Sequence, residues 1–212
     1  MDLLNEIAQG IEAGDDERVR ILAEEGLAER LPAGDLLQRG LLAGMKVVGD
    51  RFKRRDIFLP DVLLAARALY AGLAVLKPHL AGGGAPVLGR VVLGSVQGDL
   101  HDIGKNLVRI MLEGAGIEVV DLGHDVPAER FVEAAVAEGV TLIGMSALLT
   151  TTMPRMREVV GLLRTRGLHG GIPTIVGGAP VSAEFAREIG ADDYAFDAAH
   201  AVERVKGLLG VA

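Results

Sequence analysis

Over the first part of the chain apolar positions recur every three to four residues, the period of helices that each bury one face. Leu3, Leu4, Ile7 and Ile11 share such a face; Gly14-Asp15-Asp16 then interrupts the pattern and offers an N-cap to a second helix, Val19 to Leu27. Pro32 to Asp35 marks the next boundary, and Leu36 to Phe52 reads as a third helix. Phe58-Leu59-Pro60 opens a fourth, which runs through Leu63, Leu64, Ala68, Leu69 and Leu76. Helices of this length with short connections predict an antiparallel four-helix bundle. Ala81-Gly82-Gly83-Gly84-Ala85-Pro86 has the composition of a linker, so domains are expected at residues 1–85 and 86–212.

Past that segment the pattern changes to short apolar runs alternating with helical stretches. Strands are expected at Val91–Val96, Ile117–Asp121, Thr141–Ser146, Thr174–Val176 and Asp193–Phe196, with helices centred on Val108, Val132, Val159, Phe185 and Val205. Short steps between them predict right-handed parallel crossovers, hence an α/β domain with a flavodoxin-like (Rossmann-like) five-stranded parallel sheet. In such a sheet the ligand crevice lies outside the carboxyl ends of the strands. Asp99 and His101, Ser146 and Leu148, and Gly177 and Gly178 all fall at or just past strand ends, on that one edge.

Composition narrows the chemistry. Half of the 212 residues are apolar but only 3% are aromatic, so Leu, Val, Ile and Ala must fill the cores. With a net charge of −7 and no basic cluster beyond Arg51, Lys53, Arg54 and Arg55, a nucleic-acid partner is not expected. The absence of cysteine rules out disulfides, iron–sulfur clusters and thiolate zinc sites. Met1-Asp2-Leu3-Leu4-Asn5-Glu6 lacks a basic region followed by a long apolar one, and no run of about 18 uncharged apolar residues appears. The expectation is a soluble, cytoplasmic protein with no membrane partner.

The loop Gly98-Asp99-Leu100-His101-Asp102-Ile103-Gly104 carries the clearest candidate chemistry. Asp-x-His alone fits a solvated turn or a helix N-cap as well as an oriented imidazole. Zinc wants more ligands than this loop and His124 supply, and an acid–base pair here lacks a nucleophile beside it. Two further signals follow at fitting intervals: 41 residues separate Gly104 from Ser146-Ala147-Leu148, and 28 more separate Leu148 from Gly177-Gly178.

This DxHxxG, SxL, GG series resembles the cobalamin-binding signature of corrinoid-dependent methyltransferases and mutases. Asp121-Leu122-Gly123 with Val126-Pro127 adds to the likeness, and the N-terminal half, with Gly49-Asp50-Arg51-Phe52 and Ile57-Phe58-Leu59-Pro60, is similar to the helical cap domain of methionine synthase and of the methanol and methylamine corrinoid proteins. The resemblance implies cobalamin, as methylcobalamin or cob(I)alamin, bound with its nucleotide base off cobalt and His101 as the lower ligand. It assigns Asp99 to the other ring nitrogen of His101 and Thr152 to a hydroxyl relay, although Thr152 is also placed to cap a helix over Met153–Leu163. Gly104, Ser146, Leu148, Thr150, Gly177 and Gly178 are implied to line the slot for the displaced nucleotide tail. The glycine pair reads equally as a strand-ending turn. Phe52 and Leu59 take the positions of two apolar cap residues over the upper corrin face, or else staple the turn between two bundle helices.

What the resemblance implies functionally is a non-catalytic methyl carrier. A substrate-specific methyltransferase would load it, and a second one would pass the methyl to an acceptor such as a thiol or a folate. A cobalamin-binding sensor and an adenosylcobalamin mutase subunit are the alternatives.

Overall fold

The structure, a computed structural model, describes residues 2–80 and 88–211, so the expected linker and the boundary after residue 85 lie outside the described residues. The chain divides into two compact units, one of helices and one built on a sheet.

In the helical unit α1 (Leu3–Ala13) buries Leu4, Ile7 and Ile11 and ends at Gly14, whose left-handed φ of 68° lets its N–H turn back onto Gly10 and Ile11. The Asp15 carboxylate then accepts from the Arg18 N–H and starts α2 (Asp16–Ala28), as the Gly-Asp-Asp break predicted. The third helix of the sequence pattern is a composite. A single turn, α3 (Ala33–Asp35), runs through a π-helical segment, Leu36–Leu41, into α4 (Leu42–Lys53). Leu36 and Leu41 are both fully buried although five residues apart, a spacing that splays two side chains in an α-helix and aligns them in the wider i→i+5 repeat.

The last bundle helix, α5 (Leu59–Leu80), starts where the Asp61 carboxylate accepts from the Phe58 N–H at 2.8 Å. By length and composition it is the one described helix able to cross a membrane. One face of it packs into the bundle, with Val62, Ala65, Ala66, Ala68, Leu69, Gly72 and Leu76 buried and Arg67 reaching Asp16 of α2 at 2.9 Å, while Leu63, Leu64 and Tyr70 are exposed.

The second unit is a five-stranded parallel sheet in the order β2-β1-β3-β4-β5, with β1 Arg90–Ser95, β2 Glu118–Asp121, β3 Leu142–Ser146, β4 Thr174–Gly177 and β5 Asp193–Ala195. This is the expected flavodoxin-like order. The connecting helices are α6 (Ile103–Gly114), α7 (Ala128–Ala137), α8 (Pro154–Thr165), α9 (Ala183–Ile189) and α10 (Ala198–Leu209). Alternating strand residues supply two cores. Val92, Ile143 and Val176 meet Phe131 and Val132 of α7, Val159 and Val160 of α8 and Ile189 of α9. Val91, Leu142 and Ile175 meet Leu112 of α6 and Ala201 and Val205 of α10. Register places Ser95 opposite Ser146, Ser146 opposite Gly177, and Gly177 opposite Ala195, so the carboxyl ends of four strands finish level.

Candidate functional site

Strand order reverses direction between β1 and β3, and the loops leaving those two strands meet across that point. The β1–α6 loop brings Asp99 and His101; the β3–α8 loop brings Leu148, Leu149 and Thr152. Asp99 joins them. One carboxylate oxygen, Oδ1, accepts from His101 Nδ1 at 2.8 Å and from the His101 backbone N–H at 3.1 Å. The other, Oδ2, accepts from the Leu148 N–H at 2.7 Å, the Leu149 N–H at 3.3 Å and the Thr152 hydroxyl at 2.7 Å.

The asymmetry of exposure defines what this arrangement can do. The Asp99 side chain is 0% exposed and that of His101 is 51% exposed. Burial alone would push the Asp99 carboxyl up, but donation from Thr152, Leu148 and His101 outweighs it and holds the group well below the usual carboxylate range. An ionised Asp99 is an acceptor only, so Nδ1 of His101 carries the proton, and in the neutral imidazole that leaves the lone pair on Nε2 for a ligand. The solvated turn that Asp-x-His also allowed is thereby excluded.

Thr152 resolves in the same way. Its hydroxyl, with a single proton, lies 2.7 Å from Asp99 and 2.9 Å from the Leu149 carbonyl; the carboxylate is the stronger acceptor. The N-cap of α8 is Met153, with no side-chain cap, so Thr152 serves Asp99 instead of the helix.

Around this dyad the surface is open and partly apolar. Leu100 and Ile103, flanking His101, are exposed, as are Leu148 and Leu149. Gly104 faces open space; a side chain there would meet nothing within 4 Å. Ser146 is half-buried at the end of β3, while Thr150 is exposed. The glycine pair has a use within the protein. A Cβ on Gly178, which has φ +128°, would fall 1.9 Å from the Ala147 carbonyl, and one on Gly177 would fall 3.0 Å from that of Ala195. Small residues here let the β3, β4 and β5 ends close together. Phe52, in the last turn of α4, and Leu59, first residue of α5, belong to the helical unit and are half-buried, unlike the fully buried Leu41 and Leu69.

Two residues at this edge escaped the sequence pattern. Lys105 is 2% exposed, and its ammonium donates to Asp121 at 2.6 Å and to the Asn106 side chain at 2.9 Å. Asp125, at a left-handed φ of 55°, accepts from the Gly98 N–H at 2.7 Å and donates its own N–H to the Asp99 carbonyl at 3.0 Å. A lysine in a first helical turn and an aspartate in a short loop look like solvated residues; only their partners, 16 and 27 positions away, show otherwise.

Among the described residues no group of three or more His, Asp or Glu side chains is arranged to hold a metal ion. One oriented imidazole on an open, partly apolar surface fits a metal that brings its other ligands with it, which is the donor set a corrin requires.

Comparison with known proteins agrees. Two models described as B12 binding domains match residues 89–206 and 3–77. A corrinoid protein of Desulfitobacterium hafniense (strain Y51) is 44% identical over 99% of both chains. A dimethylamine corrinoid protein of Methanosarcina barkeri is 43% identical over 98% of both. Among solved structures, the methanol:cobalamin methyltransferase complex MtaBC from Methanosarcina barkeri superposes with a TM-score of 0.92 at 33% identity, covering 100% of this chain and 81% of that one.

Proposed function

The chain belongs to the corrinoid proteins with B12-binding domains, and from that premise we propose that it carries a methyl group between partner methyltransferases on a cobalamin ligated by His101. The observation that carries this reading is the Asp99–His101 contact, which engages Nδ1 of a half-exposed ring and leaves Nε2 as the nitrogen not used by Asp99. Cobalamin, when bound, supplies the bond chemistry: its reduced cobalt accepts a methyl group from a donor and yields it to an acceptor. The protein supplies the rest. Asp99 fixes the tautomer and orientation of His101 and raises its donor strength, and Thr152 with the Leu148 and Leu149 N–H groups keeps Asp99 ionised.

Gly104, Ser146, Leu148, Thr150, Gly177 and Gly178 are the residues proposed to receive the displaced nucleotide tail, the two hydroxyls by hydrogen bonding and the glycines by absence of bulk. Phe52 and Leu59 are proposed to shield the upper corrin face. Phe52→Ala and Leu59→Ala should leave folding and cobalamin uptake nearly intact and speed photolysis of the bound cofactor; unfolding with unchanged photolysis would return them to the bundle core.

Relatives carry the names of dimethylamine, trimethylamine and methanol systems, so methylated amines and methanol are the first donors to test. The protein reconstituted with cobalamin and reduced should take up a methyl group from one of these in the presence of its substrate-specific methyltransferase. A second methyltransferase should then pass it to a thiol or a folate. Selective retention of the adenosyl over the methyl form of the cofactor, or turnover of a radical rearrangement with a mutase partner, would overturn the carrier reading.

A further inference from the structure

The end of β2 and the β2–α7 loop hold the histidine-bearing loop at both of its ends, and neither attachment involves Asp99's carboxylate or His101's ring. On the near side Asp125 accepts from the Gly98 N–H at 2.7 Å and donates to the Asp99 carbonyl at 3.0 Å. On the far side the Lys105 ammonium, buried in the first turn of α6, donates to Asp121 at the end of β2 at 2.6 Å. Asp121 is itself fixed by the Gly123 N–H at 2.9 Å, and Arg109 stands 3.6 Å from its other oxygen. Between these struts the segment from Leu100 to Gly104 is largely solvent-facing, and the Ser95 hydroxyl ties it to the sheet by donating to the His101 carbonyl at 2.7 Å.

We propose that Asp125 and the buried Lys105–Asp121 pair are positioning residues that set where His101 presents Nε2, a role that rests on His101 being the cobalt ligand. An ammonium with only 2% exposure forfeits hydration and is retained only where its ion pair is well formed. A left-handed aspartate carries backbone strain that an asparagine tolerates equally and an alanine does not. Both features are costs that general stability does not require at a sheet edge. Both converge on the same β1–α6 loop. A ligand held a few tenths of an ångström off its axis loses overlap with the metal, and contacts one step behind a metal-ligating histidine are worth about ten- to a hundredfold in ligation.

The test compares wild type with Asp125→Asn, Asp125→Ala, Lys105→Met and the paired Lys105→Met/Asp121→Asn, each loaded with cobalamin and reduced to the cob(II) form. Electron paramagnetic resonance reads the fraction of cobalt coupled to an imidazole nitrogen, and circular dichroism on the unloaded proteins reads folding. Asp125→Asn keeps the acceptor and the left-handed backbone, so it should match wild type. Asp125→Ala and the paired variant should lower the imidazole-bound to unbound ratio about tenfold while remaining folded. Lys105→Met alone strands Asp121 and is expected to be the least stable; the paired variant removes both charges and keeps the comparison open. If Asp125→Ala and the paired variant fold and show the wild-type fraction, the positioning role is wrong. So it is if Asp125→Asn fails as badly as Asp125→Ala. A wild type with no imidazole coupling would instead overturn the ligand assignment, a distinct result.

Discussion

The two units solve the problem of burial differently. Among the described residues every buried polar or charged side chain, Ser95, Asp99, Lys105, Thr152 and Thr174, lies in the sheet unit, while the buried side chains of the helical unit are apolar. Four of the five stand at the carboxyl edge of the sheet, around His101. The helical unit follows its periodic pattern nearly everywhere, as expected when apolar burial alone decides the fold. The sheet unit departs from that pattern at one edge, and a buried carboxylate or ammonium is tolerated only where its hydrogen bonds are complete. The difference teaches where to look for function: at the positions where stability by itself would have chosen a leucine.

Mutations can break that contrast or sharpen it. The largest expected effect on stability is in the helical unit. Leu69→Ala, at a fully buried position of α5, should lower the unfolding free energy by about 2–5 kcal/mol in denaturant titration. It should leave histidine ligation of the cofactor unchanged in the fraction that remains folded. Loss of ligation there would mean that the helical unit also sets His101.

Asp99→Asn keeps the shape and removes the charge. One amide oxygen cannot accept from both the His101 side and the Leu148–Thr152 side, and the NH2 group faces donors wherever it turns. Ligation of the imidazole should weaken about tenfold or more, read as the imidazole-coupled fraction in the cob(II) spectrum. An unchanged fraction would remove Asp99 from the mechanism. Thr152→Val should act in the same direction and less strongly, because the Leu148 N–H remains, and Thr152→Ser should restore the wild-type value.

The smallest effect concerns acid. Burial alone would raise the Asp121 carboxyl, but Lys105, the Gly123 N–H and Arg109 outweigh it and lower it. A carboxyl lowered in the folded state contributes stability that is complete above its unfolded pKa of about 3.9 and is lost as the pH falls through the folded value. Asp121→Asn should therefore flatten the acid limb of the stability profile below about pH 4 and leave its slope near neutrality alone. An acid limb identical to wild type would show that the Lys105–Asp121 pair contributes nothing.

Most of the architecture was readable from period and punctuation. Four of the five strands end in Ser, Asp or Gly, the fifth stops at Ala195 just before Phe196-Asp197, and Gly14-Asp15 separates two helices because one residue supplies a left-handed cap and the next an acceptor. The π segment was not readable, since Leu36 and Leu41 fit an α-helical stripe with other neighbours and only packing selects the wider turn. Thr152 was ambiguous for a physical reason: a threonine before a helix can cap it, and only the carboxylate brought from 53 residues upstream draws the hydroxyl away. Lys105 and Asp125 were silent because a single polar residue carries no period, and Asp121 spoke only through the likeness of its Asp-Leu-Gly run. Their meaning lies in pairs that the sheet brings together.

The proposed function requires His101, oriented by Asp99, to be the lower ligand of cobalt. Its most direct test is electron paramagnetic resonance of the cob(II) form, in protein labelled with nitrogen-15 at histidine and loaded with unlabelled cobalamin. Histidine ligation should give superhyperfine splitting that changes from the nitrogen-14 to the nitrogen-15 pattern on labelling, and the nitrogen-15 pattern should disappear in His101→Ala. Splitting that stays in the nitrogen-14 pattern in the labelled protein would place the nucleotide base on cobalt and contradict it.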